Sequence, residues 1–207
     1  MSIVPTAVHL ASFECLQFGQ TGSEHPAIVW LHGSGERGDD VFCVANVGLP
    51  AAVLAGRVKT NAIVICPQLE ANALWEPARV LRLLAAVHAR HRCVALVGFS
   101  LGGQGVCDVV CHGGSVACLH VAVASRVRDL PQRDQTGVQF LALTGEFDRQ
   151  PQMPDFVRLV NELGGTGEEH VIVGQGHFIS ESGLTSPCFQ RFARAAGIEL
   201  HLSSALP

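Results

Sequence analysis

The sequence predicts an α/β protein with three layers: a mostly parallel central sheet, helices on both faces, and an antiparallel edge at the N-terminus. Three observations predict it. Short apolar, β-branched runs alternate with amphipathic stretches. Most of those runs are apolar nearly throughout, as strands covered on both faces are. No internal repeat, low-complexity segment or linker interrupts the alternation, which implies one domain over residues 1–207.

Taken in order, residues 6–11 and 13–18 alternate apolar and polar positions and suit the antiparallel edge. "AIVWLH" (27–32), "NAIVICP" (61–67), "CVALVGF" (93–99), "ACLHVAVAS" (117–125), "VQFLALTG" (138–145) and "EEHVIVG" (168–174) read as buried strands. Between them, "EPARVLRLLAAVHAR" (76–90) puts Val80, Leu83, Leu84 and Val87 on one helical face, with Pro77 in the first turn. "LGGQGVCDVVCHG" (101–113) is a second helix, weakened by its glycines. A third, 153–165, carries a stripe of Phe156, Val157, Val160 and Leu163 and stops at Gly-Gly; a fourth, 186–197, has Pro187 near its start and Gly197 at its end. The connections are too short to hold a sizeable lid.

Composition excludes several classes. The net charge is −4, with acidic and basic residues scattered, so no basic face is offered to nucleic acid. No apolar run approaches the roughly 18 residues of a membrane span, and the N-terminus has no basic segment or cleavage site typical of a signal peptide. The eight cysteines form no CxxC pair and none of the Cys/His spacings of a zinc site. Several, such as Cys66 and Cys93, lie in apolar runs; the expectation is buried free thiols and a reducing cytoplasm.

The chemistry begins at "VALVGFSLGGQGV" (94–106), where a strand-like run turns into a helix-like one at Ser100. A strand ending at Phe99 and a helix beginning at Leu101 leave Ser100 on a very tight turn. Gly98 and Gly102 remove the β-carbons that would collide there, the logic of a G-x-S-x-G nucleophile elbow. No Gly-Lys-Ser/Thr follows, which excludes a phosphate-binding P-loop, and no suitably placed G-x-G-x-x-G marks a dinucleotide site.

A serine hydroxyl needs a base, and the base needs an orienting acid. In such an architecture the chain order is serine, acid, histidine, each beyond the end of a later strand. Asp148 follows "VQFLALTG" and His177 follows "EEHVIVG"; Glu146 is the alternative acid. His170 sits at the start of its run, and His88, His91 and His112 fall near helix ends.

"WLHGSGERGDD" (30–40) follows the first central strand, and its glycines let the backbone turn an amide toward the serine. The N–H groups of Ser34 and Leu101 are the predicted oxyanion donors. His32 reads as a hydrogen-bonding support for this loop rather than a participant in the chemistry.

Together, "LHGSGERGDD", "GFSLGGQG", "GEFD", "GQGHF" and "CPQ…WEPARVLRLLAAV" resemble the α/β-hydrolase superfamily over about residues 26–196. Within it the likeness is to the compact phospholipase/carboxylesterase branch, with its predicted-peptidase and acyl-protein-thioesterase-like members. The resemblance implies an α/β-hydrolase fold, with Ser100 as nucleophile, Asp148 as acid and His177 as base. Leu101 stands where the thioesterase-like members usually carry glutamine.

The expected function is a serine esterase acting on small-molecule esters with small to medium acyl groups, without metal or cofactor, as a monomer or homodimer. Gln68, Leu74, Trp75 and Phe178 are candidate walls of an open cleft, Trp75 serving equally well as core packing. A thioesterase or perhydrolase using the same three residues is the alternative, and so is a non-catalytic binding protein on this fold.

Overall fold

A computed structural model describes residues 4–19, 22–113 and 117–203; residues 1–3 of the segment read for a signal peptide lie outside these. Among these residues ten strands and six α-helices follow one another: β1 (Thr6–Leu10), β2 (Phe13–Phe18), β3 (Ala27–Leu31), α1 (Gly48–Leu54), β4 (Val58–Thr60), β5 (Ile63–Pro67), α2 (Pro77–His88), β6 (Val94–Phe99), α3 (Leu101–Cys111), β7 (Leu119–Val123), β8 (Gln139–Gly145), α4 (Met153–Glu162), β9 (Thr166–Ile172), α5 (Ser180–Leu184), α6 (Pro187–Ala195) and β10 (Leu200–Leu202).

Eight of the strands form one sheet in the order β1-β2-β5-β3-β6-β7-β8-β9. β1 and β2 pair antiparallel, β2 joins β5 antiparallel, and the remaining pairs are parallel. β4 and β10 form a separate antiparallel pair.

Alternation along the strands builds two cores. In β3, Ile28 and Trp30 face one side, with Leu49 and Val53 of α1 and Phe189 and Phe192 of α6. Ala27, Val29 and Leu31 face the other, with the α2 stripe of Val80, Leu83, Leu84 and Val87 and with Phe156 of α4. Helices therefore cover both faces, the three-layer arrangement the sequence predicts. Burying each of Leu83 and Leu84 contributes about 2 kcal/mol.

Three expectations are corrected. The run read as a buried strand over 168–174 is the sheet's edge, β9, which begins at Thr166 and is only partly buried. Glu168, Glu169 and His170 suit an edge reached by water, and His170 lies fifth in the strand rather than at its start. Four further elements, α1, β4, α5 and β10, are too short to carry a sequence period. The cysteines are not all free thiols: Cys93 and Cys118 are joined by a disulfide.

Those two cysteines precede β6 and β7, and the Cys118 N–H donates to the Val94 carbonyl at 2.8 Å, so parallel pairing brings them side by side. The other six remain free thiols; Cys15, Cys66, Cys107 and Cys188 are buried as expected, while Cys43 and Cys111 are only partly so. The disulfide removes the ground on which a reducing compartment was expected. Among the described residues, no helix is long and apolar enough to cross a membrane. The connection from β7 to β8, residues 124–138, holds no helix.

Candidate active site

The parallel strands β3, β6, β7, β8 and β9 all end at one edge of the sheet, and the loops beyond them converge on Ser100. Ser100 joins β6 to α3 with φ +55° and ψ −111°, a left-handed backbone that a non-glycine residue adopts only under constraint. Its N–H donates to the Val123 carbonyl at the end of β7 (2.9 Å). The flanking glycines are needed for close approach. A β-carbon on Gly98 would stand 2.2 Å from the Gly102 carbonyl oxygen, and one on Gly102 would stand 1.9 Å from that of Leu31.

His177 Nε2 lies 2.9 Å from Ser100 Oγ, and His177 Nδ1 lies 2.6 Å from Asp148 Oδ2. A carboxylate only accepts, so Nδ1 carries the proton and donates to Asp148. Nε2 then accepts the hydrogen bond from the serine hydroxyl. The line can take a proton from Ser100 as its oxygen attacks an acyl carbon. The alternative acid, Glu146, is engaged elsewhere: its carboxylate accepts the Gly174 N–H at 2.8 Å.

The acid and histidine loops are fastened together by backbone. The Phe147 N–H donates to the Gln175 carbonyl (2.9 Å). Gly145 packs so tightly on Gly176 that a β-carbon there would stand 2.1 Å from its carbonyl oxygen. The rings of Phe99 and Phe178 lie 5.4 and 5.6 Å from that of His177.

Beyond β3, the Gly33–Ser34 backbone runs beside the serine: a β-carbon on Gly33 would stand 3.6 Å from Ser100 Cβ. Ser34 opens a short 3₁₀ turn and Leu101 opens α3, and an N–H in the first turn of a helix has no partner within it. Both residues border the cavity at Ser100. The positive end of α3 faces the same space.

His32 supports this loop through both ring nitrogens. The Leu69 N–H donates to its Nε2 (3.0 Å), which places the ring proton on Nδ1, facing the Gly33 carbonyl at 2.6 Å. Burial pushes its pKa down from 6.5 to about 4 and keeps the imidazole neutral. Glu36, on the same turn, is half-buried, and desolvation pushes its carboxyl pKa up.

No protein-family model matches this sequence, and no curated protein does. Solved structures do. TT1662 from Thermus thermophilus superposes with a TM-score of 0.64 at 13% identity, covering 94% of this chain and 98% of that one. EstE1, a thermophilic carboxylesterase cloned from a metagenomic library, gives 0.62 at 12%, covering 94% and 87%. A thermostable esterase gives 0.59 at 15%, covering 86% of this chain; the chain spans only 58% of that esterase's length. The chain has the α/β-hydrolase fold.

Within this hydrolase fold, Ser34, Ser100, Leu101, Asp148 and His177 border one open cavity of about 300 Å³. The expected wall is corrected. Gln68 is buried and braces the Ser34 loop, its Nε2 donating to the carbonyls of Glu36 (3.1 Å) and Asp40 (2.8 Å). Trp75 is core, its indole N–H donating to the His32 carbonyl (3.2 Å) and its side chain packed where a Gly105 β-carbon would stand. Leu74 is exposed and does not line the cavity. Phe178, 80% exposed, lies beside His177 at the rim rather than in the wall.

The remaining lining comes from Gln104, Ala124, Arg126 and Gln150, which sequence reasoning missed. Gln104 is legible in hindsight, one helical turn beyond Ser100, whose carbonyl accepts its N–H. Among the described residues, no group of three or more His, Cys, Asp or Glu side chains is placed to hold a metal ion.

Proposed function

We propose that this chain is a serine esterase that hydrolyses carboxylic esters of small to medium acyl groups. The observation that carries the reading is the unbroken hydrogen-bonded line Ser100–His177–Asp148 at 2.9 and 2.6 Å. The expected fold and the open cavity support it; the esterases among its structural neighbours share the fold at 11–15% identity.

In the proposed reaction, Ser100 Oγ attacks the ester carbonyl while His177 Nε2 takes its proton. The N–H groups of Ser34 and Leu101 hold the developing oxyanion, each such donor being worth about 3–4 kcal/mol in the transition state. His177 then protonates the departing alcohol. Water repeats the sequence on the acyl-enzyme and frees the acid. Asp148 fixes the imidazole tautomer and stabilises its cation.

The test is hydrolysis of 4-nitrophenyl esters of increasing acyl length. Short and medium esters are turned over, and Ser100→Ala lowers kcat by on the order of 10⁴-fold or more. Turnover that survives in Ser100→Ala rejects the proposal.

A further inference from the structure

Arg126 stands at the cavity beside Ser100, and nothing in the proposed acyl chemistry uses it. Arg126 is exposed, and no carboxylate among the described residues lies within ion-pair distance of its side chain. The one carboxylate in the same lining, Asp148, is already bonded to His177. The other side chains bordering the space include Ser34, Gln104 and Gln150, which are neutral and polar.

The backbone that presents Arg126 is held on both sides. Ala124, at φ +49°, ties its N–H to the Leu143 carbonyl (2.8 Å). The buried Ser125 hydroxyl donates to the carbonyl of Arg126 itself (2.7 Å). Val127 is buried, and Arg128 is ion-paired to Asp108, a buried side chain of α3. Arg128 thus serves the fold, while Arg126 is fixed at its root and open at its tip.

From this geometry we infer that the site selects esters that carry a carboxylate, bound by Arg126 while the ester carbonyl lies at Ser100. The inference rests on the esterase reading and names its substrate class. A guanidinium presents paired N–H donors matched to a carboxylate, and the positive end of α3 favours negative charge in the same space. A neutral ester leaves Arg126 in water and gains nothing from it. One partly exposed, charge-assisted contact corresponds to about a tenfold preference.

The test compares 4-nitrophenyl half-esters of glutaric and adipic acid with the neutral pentanoate and hexanoate of equal carbon number. The readout is the ratio of kcat/KM, anionic over neutral, within each variant, so any change common to both esters cancels. Wild type is expected to favour the half-esters about tenfold, Arg126→Gln to bring the ratio near one, and Arg126→Lys to keep part of it. Arg90→Gln, which removes the same charge from a separate cleft, is expected to leave the ratio unchanged. No preference in wild type, or a preference that survives Arg126→Gln, overturns the inference while neutral-ester turnover leaves the esterase reading standing. If no ester is cleaved and a fluorophosphonate does not label Ser100, the esterase reading falls and this inference falls with it.

Discussion

Gly145 meets Gly176 with no room for a methyl group: a β-carbon on Gly145 would stand 2.1 Å from the Gly176 carbonyl oxygen. The first residue ends β8 three positions before Asp148, and the second immediately precedes His177. The missing side chain of Gly145 lets the Asp148 loop close on the backbone before His177, whereas a β-carbon on Gly176 would meet nothing within 4 Å. Gly145→Ala is expected to push the loops apart and lower kcat/KM by about 10²-fold, the cost of misplacing a catalytic group by about 1 Å. Ester kinetics beside a thermal melt check this; an alanine variant with full activity contradicts it.

Gln68 offers a second test, because brace and wall make different demands. Gln68→Leu removes the side-chain donor shared by the Glu36 and Asp40 carbonyls, leaving Asp40 only the Cys43 N–H, and loosens the turn that carries Ser34. Turnover should fall by about tenfold or more for every ester, since the proposed oxyanion donor on Ser34 acts on the step common to all of them. A change that depends on acyl length and appears mainly in KM would return Gln68 to the substrate wall.

His32 makes stability depend on pH. Its imidazole takes up a proton near 6.5 when unfolded but only at about 4 when folded. Between those values the unfolded chain binds more protons, so stability falls as pH falls from about 6.5 toward 4. From pH 7 to pH 5 the loss from this one group is about 2 kcal/mol. Urea unfolding at both pH values should show a larger loss for wild type than for His32→Gln. Equal losses would mean that His32 is protonated in the fold.

Cys93 and Cys118 predict a thiol count. The denatured, unreduced chain should titrate six free thiols of its eight cysteines, and reduction should release the other two. With the bonded residues separated by 25 in sequence, reduction is expected to lower stability by about 3 kcal/mol. Eight reactive thiols before reduction would refute the bond.

The parts of this molecule that sequence makes legible are those written locally. Ser100 announces itself because strand, tight turn and helix are consecutive, and the glycines on either side follow from the turn. Asp148 and His177 could be picked out because each follows an apolar run, and chain order did the rest. Gln68 suits a cleft wall as well as a brace, being a polar residue past a strand end, and Trp75 suits either wall or core, of which the fold takes the core. Only the carbonyls of Glu36, Asp40 and His32, folded onto them from an earlier loop, decide between the two. Arg126 belongs to no motif and becomes visible only when β7 sets the loop after it beside α3. The disulfide was hidden for a related reason, since its partners meet through strand pairing rather than through spacing.

Fluorophosphonate labelling read by peptide mass spectrometry bears most directly on the proposed chemistry. One adduct per chain is expected, on Ser100, absent in Ser100→Ala and formed far more slowly in His177→Ala. A folded wild-type chain that takes no label, or takes it on a different serine, would leave the 2.9 Å contact between Ser100 and His177 without the reactivity assigned to it.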